Sequence, residues 1–483
     1  MTNDNRQMNQ THPLTWTAEE IMEATGGELL CGDLRRSFSG VSIDSRNISG
    51  DNVFVAITGE THDGHAFTST VIDQGVRGLV VNRRKSVQMP LPAWKKNNIA
   101  CITVDDTTRA LGDMAAFNRL RSHASVVAIT GSNGKTTTRQ MTTKVLERRY
   151  HTLTAIGNFN NDIGLPLTLL GLSNDHQWAV LELGTNNPGE IARLAEICSA
   201  DIGVLTNIGP AHLEGLGSIE GVMQEKGDLL KNLAPGAKAI LNADDPRVIQ
   251  LAATTKAEVI LYGLSREAAI RAEDVEETKD TISFQLIFAG ESIPVHLSTP
   301  GRFMVSNALA AAAVGHQIGL SGKTVKTALE AFKPVAGRMN IRHLPGDIHL
   351  IDDTYNANPE SMKAAFASLS TLRAGSRGIV AVGDMLELGT QAKSLHRNLG
   401  ADAARSGICR LYAYGEFTAE VRAGAHDNGM SPTDTFDGTH EDIVEDLKCR
   451  LQPGDWLLIK GSRGMAMEKV ARKLQEWCEK SDD

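Results

Sequence analysis

The sequence predicts an α/β protein of three domains, with a mostly parallel sheet in the middle one. Three observations carry that prediction. At 483 residues the chain is too long for one core, and roughly 100–200 residues per domain gives about three. Short β-like runs alternate with helix-like ones, the pattern of a sheet covered on both faces. A Gly-rich turn also sits between a buried strand and a helix near residue 130, the setting of a phosphate-binding loop. Hydrophobic residues at 41% and charged residues at 22% are ordinary for a globular chain and exclude global disorder.

Taken in order, the first hundred residues hold β-like runs at 52–57 (NVFVAI), 78–81 (GLVV) and 101–104 (CITV), with a helix-like segment at Ala18–Thr25. These make a small α/β unit. A helical stretch over 105–122 leads into 126–130 (VVAIT), a buried strand, and then a helix from Thr136. Strands follow at 178–183, 202–207, 237–242 and 259–262, and 281–298 reads as an antiparallel hairpin turning near Gly290. A third unit starts near Phe332, with strands at 349–352, 378–382, 410–414 and 456–460 and a terminal helix over 467–478. The expected domains are therefore 1–107, 108–331 and 332–483.

Composition narrows the partners. Lys and Arg number 49 against 58 Asp and Glu, a net charge of −9. An acidic chain without a basic run is a poor nucleic-acid binder, so a small molecule at a local site is expected. No run approaches the ~18 apolar residues of a membrane span; the longest, around 308–314, is short and mostly Ala. The opening MTNDNRQMNQTH has no apolar stretch, so a secretory signal is not expected. Six cysteines (Cys31, Cys101, Cys198, Cys409, Cys449, Cys478) are scattered with no CxxC pair. That usage suits reduced, mostly buried thiols in the cytoplasm and not a disulfide framework or structural zinc site.

The strongest chemical signal is Thr130-Gly131-Ser132-Asn133-Gly134-Lys135-Thr136-Thr137. Glycines let backbone N–H groups approach anionic oxygens, and the helix N-terminus adds partial positive charge. Lys135 supplies a full charge near the β/γ-phosphates, and the Thr136 hydroxyl suits Mg²⁺. The common pattern places four residues between its glycines; here two separate Gly131 from Gly134, a shortened variant. The loop implies ATP or GTP. It leaves open hydrolysis coupled to motion, phosphoryl transfer to a stable product, and acyl activation.

Further candidates lie at strand ends. Glu182 closes WAVLELG and can ligate Mg²⁺ beside the loop, the plain alternative being a solvated carboxylate. His212 in NIGPAHLEG ends another strand of the same sheet, which raises a ligand role above a merely structural one. Lys226 lies in a helical run, where a surface lysine is the default reading. The polar run Asp352–Asn358 reads as a ligand loop or a helix cap, and Lys460-Gly461-Ser462-Arg463 as a nest for phosphate or carboxylate or as a plain turn.

Together with SIDSRNISGDNVFVAITGETHDGHAF (42–67), GNFNNDIGLPLTLL (157–170), LELGTNNPGEI (181–191), NIGPAHLEGLGS (207–218), PGRFMVSNALAAAA (300–313), AGRMN (336–340), DDTYNANPESM (352–362), VGDMLELG (382–389) and KGSRGMAME (460–468), these motifs resemble the Mur ligase family. Its members are the ATP-dependent amide-forming enzymes of peptidoglycan synthesis. The resemblance runs from about Trp16 to nearly the end. GNFNND, the ELG-x-N-x-PGEI block and DDTYNANP resemble the member that adds D-alanyl-D-alanine to UDP-N-acetylmuramoyl-tripeptide. The DNPR motif of the diaminopimelate-adding ligase is absent.

The resemblance implies a UDP-substrate domain, a central phosphate-loop ATPase, and a Rossmann-like third domain that helps hold the incoming amine. It implies ATP, two Mg²⁺ ions and an acyl-phosphate intermediate. It carries Gly131, Ser132, Asn133, Gly134, Lys135, Thr136 and Thr137 onto phosphate and the first Mg²⁺. Glu182 becomes a Mg²⁺ ligand, His212 lies near the second Mg²⁺, and Lys226 matches the lysine that is carbamylated. Asn307, Arg338 and Asp353 match contacts to base, phosphate or ribose. Ser45, Arg46, Asp63, Gly64 and His65 match the UDP-binding region. Asn158, Asn160 and Asn161 face the muramoyl-peptide. Asn356, Asn358, Ser462 and Arg463 fall on the dipeptide side. A cytoplasmic monomer is expected. The first ~15 residues have no counterpart and are expected to be flexible. The rivals are another amide ligase of the superfamily, such as folylpolyglutamate synthase, which should lack the SIDSR…DGH region, and a non-catalytic nucleotide-binding protein, against which intact Lys135, Glu182, His212 and Lys226 argue.

Overall fold

Runs of β-branched and aliphatic residues become the inner strands of three sheets, and the amphipathic runs between them become covering helices. The computed structural model describes residues 13–59 and 61–480. Most of the expected flexible start lies outside the described residues.

The first sheet has five strands in the order Glu28–Cys31, Ala100–Val104, Gly78–Asn82, Asn52–Val55 and Gly40–Ser42. The first pair is antiparallel and the rest are parallel. Its three inner strands are the three apolar runs expected from the sequence. The two edge strands are short and half-exposed, so they carry no apolar run to betray them.

The central sheet has nine strands. Its order is Glu291–Leu297, Ile282–Phe288, Ile270–Glu277, Glu258–Gly263, Lys238–Asn242, Ile202–Leu205, Ser125–Thr130, Trp178–Glu182 and Thr152–Thr154. The two pairings at the Glu291–Leu297 end are antiparallel and the others parallel. Residues 282–297 form the expected hairpin, turning at Gly290. Ser125–Thr130 lies between Ile202–Leu205 and Trp178–Glu182, all three parallel. Their C-terminal ends therefore share one edge, with Glu182 level with Ile129 and Leu205 level with Thr130. Ligands of open α/β sheets bind at such an edge. The helix Arg302–Gln317 is Ala-rich and buried along most of its length. It shares a core cluster with Met141, Val145 and Leu146 of the phosphate-loop helix Lys135–Leu146, which holds that helix firmly.

The third sheet has six strands in the order Asn340–Leu344, Ile348–Asp353, Trp456–Lys460, Gly378–Gly383, Arg410–Tyr414 and Thr435–Asp437. Only the first pairing is antiparallel. Trp456–Lys460, late in the sequence, inserts at the centre and sets Lys460 level with Asp353 and Val382. Residues 333–339 connect this sheet to the preceding helix Gly322–Glu330 without regular structure, and Gly337 there has φ +73°. Among the described residues no helix is long and apolar enough to cross a membrane.

Candidate active site

The phosphate loop is pinned to the neighbouring strand end. Ser132 N–H donates to the Asn207 carbonyl (2.9 Å) and Asn133 N–H to Asn207 Oδ1 (2.8 Å). Thr206 Oγ1 donates to the Asn133 carbonyl (2.7 Å), and Ser132 Oγ exchanges bonds with Gly209 (2.8 and 2.9 Å). These contacts decide where glycine is obligatory. A Cβ on Gly131 (φ +148°) would lie 1.9 Å from Thr206 Oγ1, and one on Gly134 (φ +80°) 2.3 Å from Asn307 Oδ1. Lys135 Nζ folds over the loop onto the carbonyls of Gly131 (2.8 Å) and Ser132 (3.4 Å). Asn307 Oδ1 also accepts from Thr138 Oγ1 at 3.2 Å, which ties the Ala-rich helix to the loop.

Beside the loop, oxygen atoms gather. Thr136 Oγ1 donates to Glu182 Oε2 (2.8 Å) and accepts from Arg338 Nη2 (3.0 Å). Asn160 Nδ2 donates to Glu182 Oε1 (2.9 Å), and Arg139 Nε lies 3.8 Å from Glu182 Oε2. Thr136, Thr137 and Glu182 are all buried. A hydroxyl and a carboxylate in contact on a cavity wall are hard oxygen donors of the kind Mg²⁺ takes.

Lys226 sits on the helix Ile219–Lys231 and is wholly buried, with no hydrogen-bond partner for Nζ among the described residues. The surface reading of this lysine is therefore wrong. Burial drives its pKa well below the ordinary lysine value, and the Lys135 charge adds to that. Burial lowers Lys135 as well, opposed by Glu182. The adjacent Glu225, which sequence reasoning missed, accepts from Gly189 N–H (2.7 Å), Ile191 N–H (2.7 Å) and Thr185 Oγ1 (3.1 Å). It caps the helix Glu190–Cys198 and so fixes the 185–191 loop that follows Glu182.

The third sheet closes the site from the other side. Asp353 accepts from Lys460 Nζ (2.5 Å) and Met339 N–H (3.1 Å). Arg338 lies over the Tyr355 ring at 4.0 Å and Arg463 over its centroid at 5.3 Å. Asn358 caps the helix Pro359–Leu372, and its Nδ2 donates to Asn133 Oδ1 of the phosphate loop (2.8 Å). His212 Nδ1 donates to Glu387 Oε2 at 2.6 Å. Burial pulls the His212 imidazole below its ordinary value against the pull of Glu387, which favours the neutral ring. Ser462 is buried, its hydroxyl donating to the Ala357 carbonyl (3.3 Å) and accepting from Leu386 N–H (2.8 Å). The Asn356 carbonyl accepts from Lys460 Nζ at 2.9 Å. Asn161 Oδ1 accepts from Gly164 N–H (2.9 Å) at the start of the helix Gly164–Leu170.

One cavity of about 970 Å³ collects most of the expected residues. Its wall includes the loop from Ser132 to Thr137, Asn158, Asn160, Asn161, Glu182, His212 and Asn307. From the third sheet come Arg338, Asp353, Asn356, Asn358, Ser462 and Arg463. Gly131 and Lys226 are not part of its wall. Ser45, Arg46, Asp63, Gly64 and His65 are elsewhere, on the first sheet's unit. There Asp63 Oδ1 accepts from His65 Nδ1 (2.6 Å), His65 Nε2 accepts from Asn82 N–H (2.9 Å), and Lys85 Nζ reaches Asp63 Oδ2 (2.5 Å). These bonds hold a turn in place. Among the described residues Arg46 pairs with Asp44 alone (2.8 Å), and its side chain is 87% exposed.

A phosphate loop on a parallel sheet, with hard oxygen donors beside it and a second α/β sheet lining the same cavity, defines a nucleotide-dependent enzyme. Residues 129–315 match the family description "Mur ligase middle domain", 337–463 "Mur ligase, glutamate ligase domain" and 37–119 "Mur ligase family, catalytic domain". The chain belongs to the Mur ligase family. It is 34% identical over 465 residues to the UDP-N-acetylmuramoyl-tripeptide--D-alanyl-D-alanine ligase of Escherichia coli, covering 95% of this chain and 98% of that protein. Identity to the ligase of the same name from Bacillus subtilis is 32%, with the same coverage. The fold matches MurF from Acinetobacter baumannii with TM-score 0.87 and 31% identity, over 96% and 99% of the two chains. It also matches MurF from Thermotoga maritima in complex with ADP, with TM-score 0.80 and 26% identity over 92% and 98%. A Mycobacterium tuberculosis folylpolyglutamate synthase shares the fold at TM-score 0.61 and 17% identity.

Proposed function

We propose that the protein is the ligase that joins D-alanyl-D-alanine to UDP-N-acetylmuramoyl-tripeptide at the expense of ATP. The observation that carries this reading is the single cavity into which the phosphate loop, Glu182, His212 and the third sheet's polar loops all project. The likeness to ligases of that name over 95% of the chain supports the substrates. The three stretches 1–107, 108–331 and 332–483 then bind the UDP-substrate, ATP and the amine respectively. Six cysteines scattered along the chain with no CxxC pair agree with a cytoplasmic setting.

In the first step a carboxylate oxygen of the tripeptide attacks the γ-phosphorus of ATP, and the bond to the β-phosphate oxygen breaks to give acyl phosphate and ADP. Backbone N–H groups at the N-terminus of the helix Lys135–Leu146 and the Lys135 ammonium would face the charge that builds on the transferred group. In the second step the dipeptide amine attacks the acyl carbon, loses a proton, and the C–O bond breaks to release phosphate. Arg338, Asn358 and Glu387 bridge the third sheet's unit to the central one and exclude the water that would hydrolyse the acyl phosphate.

Mg²⁺ fits the donor set. Thr136 and Glu182 would hold one ion and His212 would face the second, and such ions neutralise phosphate charge when bound. Among the described residues no three His, Cys, Asp or Glu side chains cluster as a metal site, and Mg²⁺ ordinarily completes its shell with water and phosphate oxygens. A plain ammonium at Lys226 would repel a cation; a carbamate formed from its neutral amine and CO₂ would add an oxygen donor. Its enclosed, unpartnered Nζ with lowered pKa supports that modification.

An amine screen tests the assignment. D-Ala-D-Ala, D-Ala and L-amino acids are offered with UDP-muramoyl di- and tripeptides, and products are weighed by mass spectrometry. Ligation of D-Ala-D-Ala to the tripeptide is expected; preference for a single amino acid would assign another ligase of the family.

A further inference from the structure

His212 and Glu387 are 175 positions apart and come from the units of different sheets, yet His212 Nδ1 donates to Glu387 Oε2 at 2.6 Å. A carboxylate can only accept. The contact therefore keeps the ring proton on Nδ1 and leaves the lone pair on Nε2. We propose that Glu387 is a positioning residue for His212, delivered when the third sheet's unit docks on the central one. The proposal rests on the reading of His212 as a metal-facing residue.

Four further observations mark the contact as a built seam. Glu214 N–H donates to the Glu387 carbonyl at 3.0 Å, so backbone and side chain of Glu387 both engage the 212–214 turn. The approach is close: a Cβ on Gly389 would lie 3.2 Å from Glu214 Cα. His212 (φ +56°) and Glu387 (φ +62°) each hold a left-handed backbone that non-glycine residues rarely adopt, and they face each other. Such strain persists only where surrounding structure enforces it, and it gathers at functional sites. Ser462 braces the loop from behind through Leu386 N–H (2.8 Å).

The consequence is an enzyme whose His212 is correctly presented only when the site is shut. With the third unit away, the imidazole is free to take either tautomer and to turn. Docking orients it in the same arrangement that encloses the acyl phosphate, which couples readiness of the site to exclusion of water. Outer partners of metal-binding histidines act this way, and losing one typically lowers metal affinity or activity about 10–100-fold.

The test uses the full-length enzyme with Glu387→Asn, Glu387→Gln and His212→Ala. Asn tolerates the left-handed backbone but is too short to reach the ring, and Gln keeps the length without the charge. Two readings are taken: the apparent Mg²⁺ constant for turnover, and the His212 tautomer from ¹⁵N spectra of histidine-labelled protein with Mg²⁺, UDP-substrate and a non-hydrolysable ATP analogue. The wild type is expected to show the Nδ1–H form. Glu387→Asn is expected to give mixed tautomers and a Mg²⁺ constant raised about 10–100-fold, with KM for the dipeptide little changed and Gln intermediate. An unchanged tautomer and Mg²⁺ constant in Glu387→Asn, with His212→Ala still impaired, overturns the positioning role alone, whatever happens to thermal stability. An unimpaired His212→Ala overturns the reading of His212 and the proposal with it.

Discussion

A lysine enclosed by protein with no hydrogen-bond partner lowers stability, and Lys226 is in that position. Its folded pKa lies well below 10.5. Between the folded and unfolded values the unfolded chain binds one proton more, so this residue makes stability rise with pH across that window. Lys226→Met removes the penalty. In CO₂-depleted buffer without nucleotide, that variant is expected to melt higher, by about 2–4 °C for each ~1 kcal/mol relieved in a domain of this size, and to lose part of the pH slope. It should also be nearly inactive, a trade of function for stability. Lys226→Ala is expected to lose turnover and to recover part of it with formate or acetate. A near-wild-type rate for the alanine variant would end the carbamate reading. At this scale the sequence was legible where chemistry is contiguous, as in 130–137. It was illegible where partners are remote: Glu387 lies 175 residues from His212, and Lys460 lies 107 from Asp353. The burial of Lys226 was likewise invisible, because a helix position alone does not say which neighbours cover it.

Elements set how closely the backbone approaches the site. The strand end 206–209 and the phosphate loop meet at Gly131, where a methyl group would collide with Thr206 Oγ1. Gly131→Ala is expected to weaken nucleotide binding at least about tenfold, the equivalent of ~1.4 kcal/mol, and to lower the melting temperature. Adding Thr206→Ala should restore part of both by removing the colliding atom. Calorimetric titration with ATP reads the first, and wild-type affinity in Gly131→Ala would contradict the close approach. Inner strands were readable because they are apolar on both faces. Ile270–Glu277 was missed: Glu273, Asp274, Glu276 and Glu277 give it the look of a solvated run, yet it is paired on both sides, with a register break at Asp274 (φ +49°). Thr435–Asp437 and Asn340–Leu344 are short edge strands in which Thr435 and Leu344 alone are buried, so they carried no apolar run.

At the scale of the whole molecule, the third sheet's unit is joined to the central one by a short irregular segment and by side-chain bonds across the cavity. One apolar cluster also runs through both units, so the hinge segment and the polar bonds are the parts that release and remake. X-ray scattering is expected to give a larger radius of gyration for the ligand-free enzyme than for the enzyme with ATP analogue and UDP-substrate. Equal radii would count against closure. The first sheet's unit should act separately. Arg46 is exposed and, among the described residues, its side chain bonds to Asp44 alone, so Arg46→Ala should leave folding intact, raise KM for the UDP-substrate and leave KM for ATP nearly unchanged. The reverse pattern would misplace the UDP site.

The acyl phosphate is the centre of the account, and isotope transfer reads it directly. UDP-N-acetylmuramoyl-tripeptide labelled with ¹⁸O in the reacting carboxylate is incubated with ATP, Mg²⁺ and D-Ala-D-Ala, and the released phosphate is analysed by mass spectrometry. Attack of the carboxylate on the γ-phosphorus, followed by displacement with the amine, carries one labelled oxygen into each phosphate formed. Phosphate that contains only unlabelled oxygen, released whether or not the tripeptide is present, would mean that water attacks ATP and would contradict the ligase mechanism.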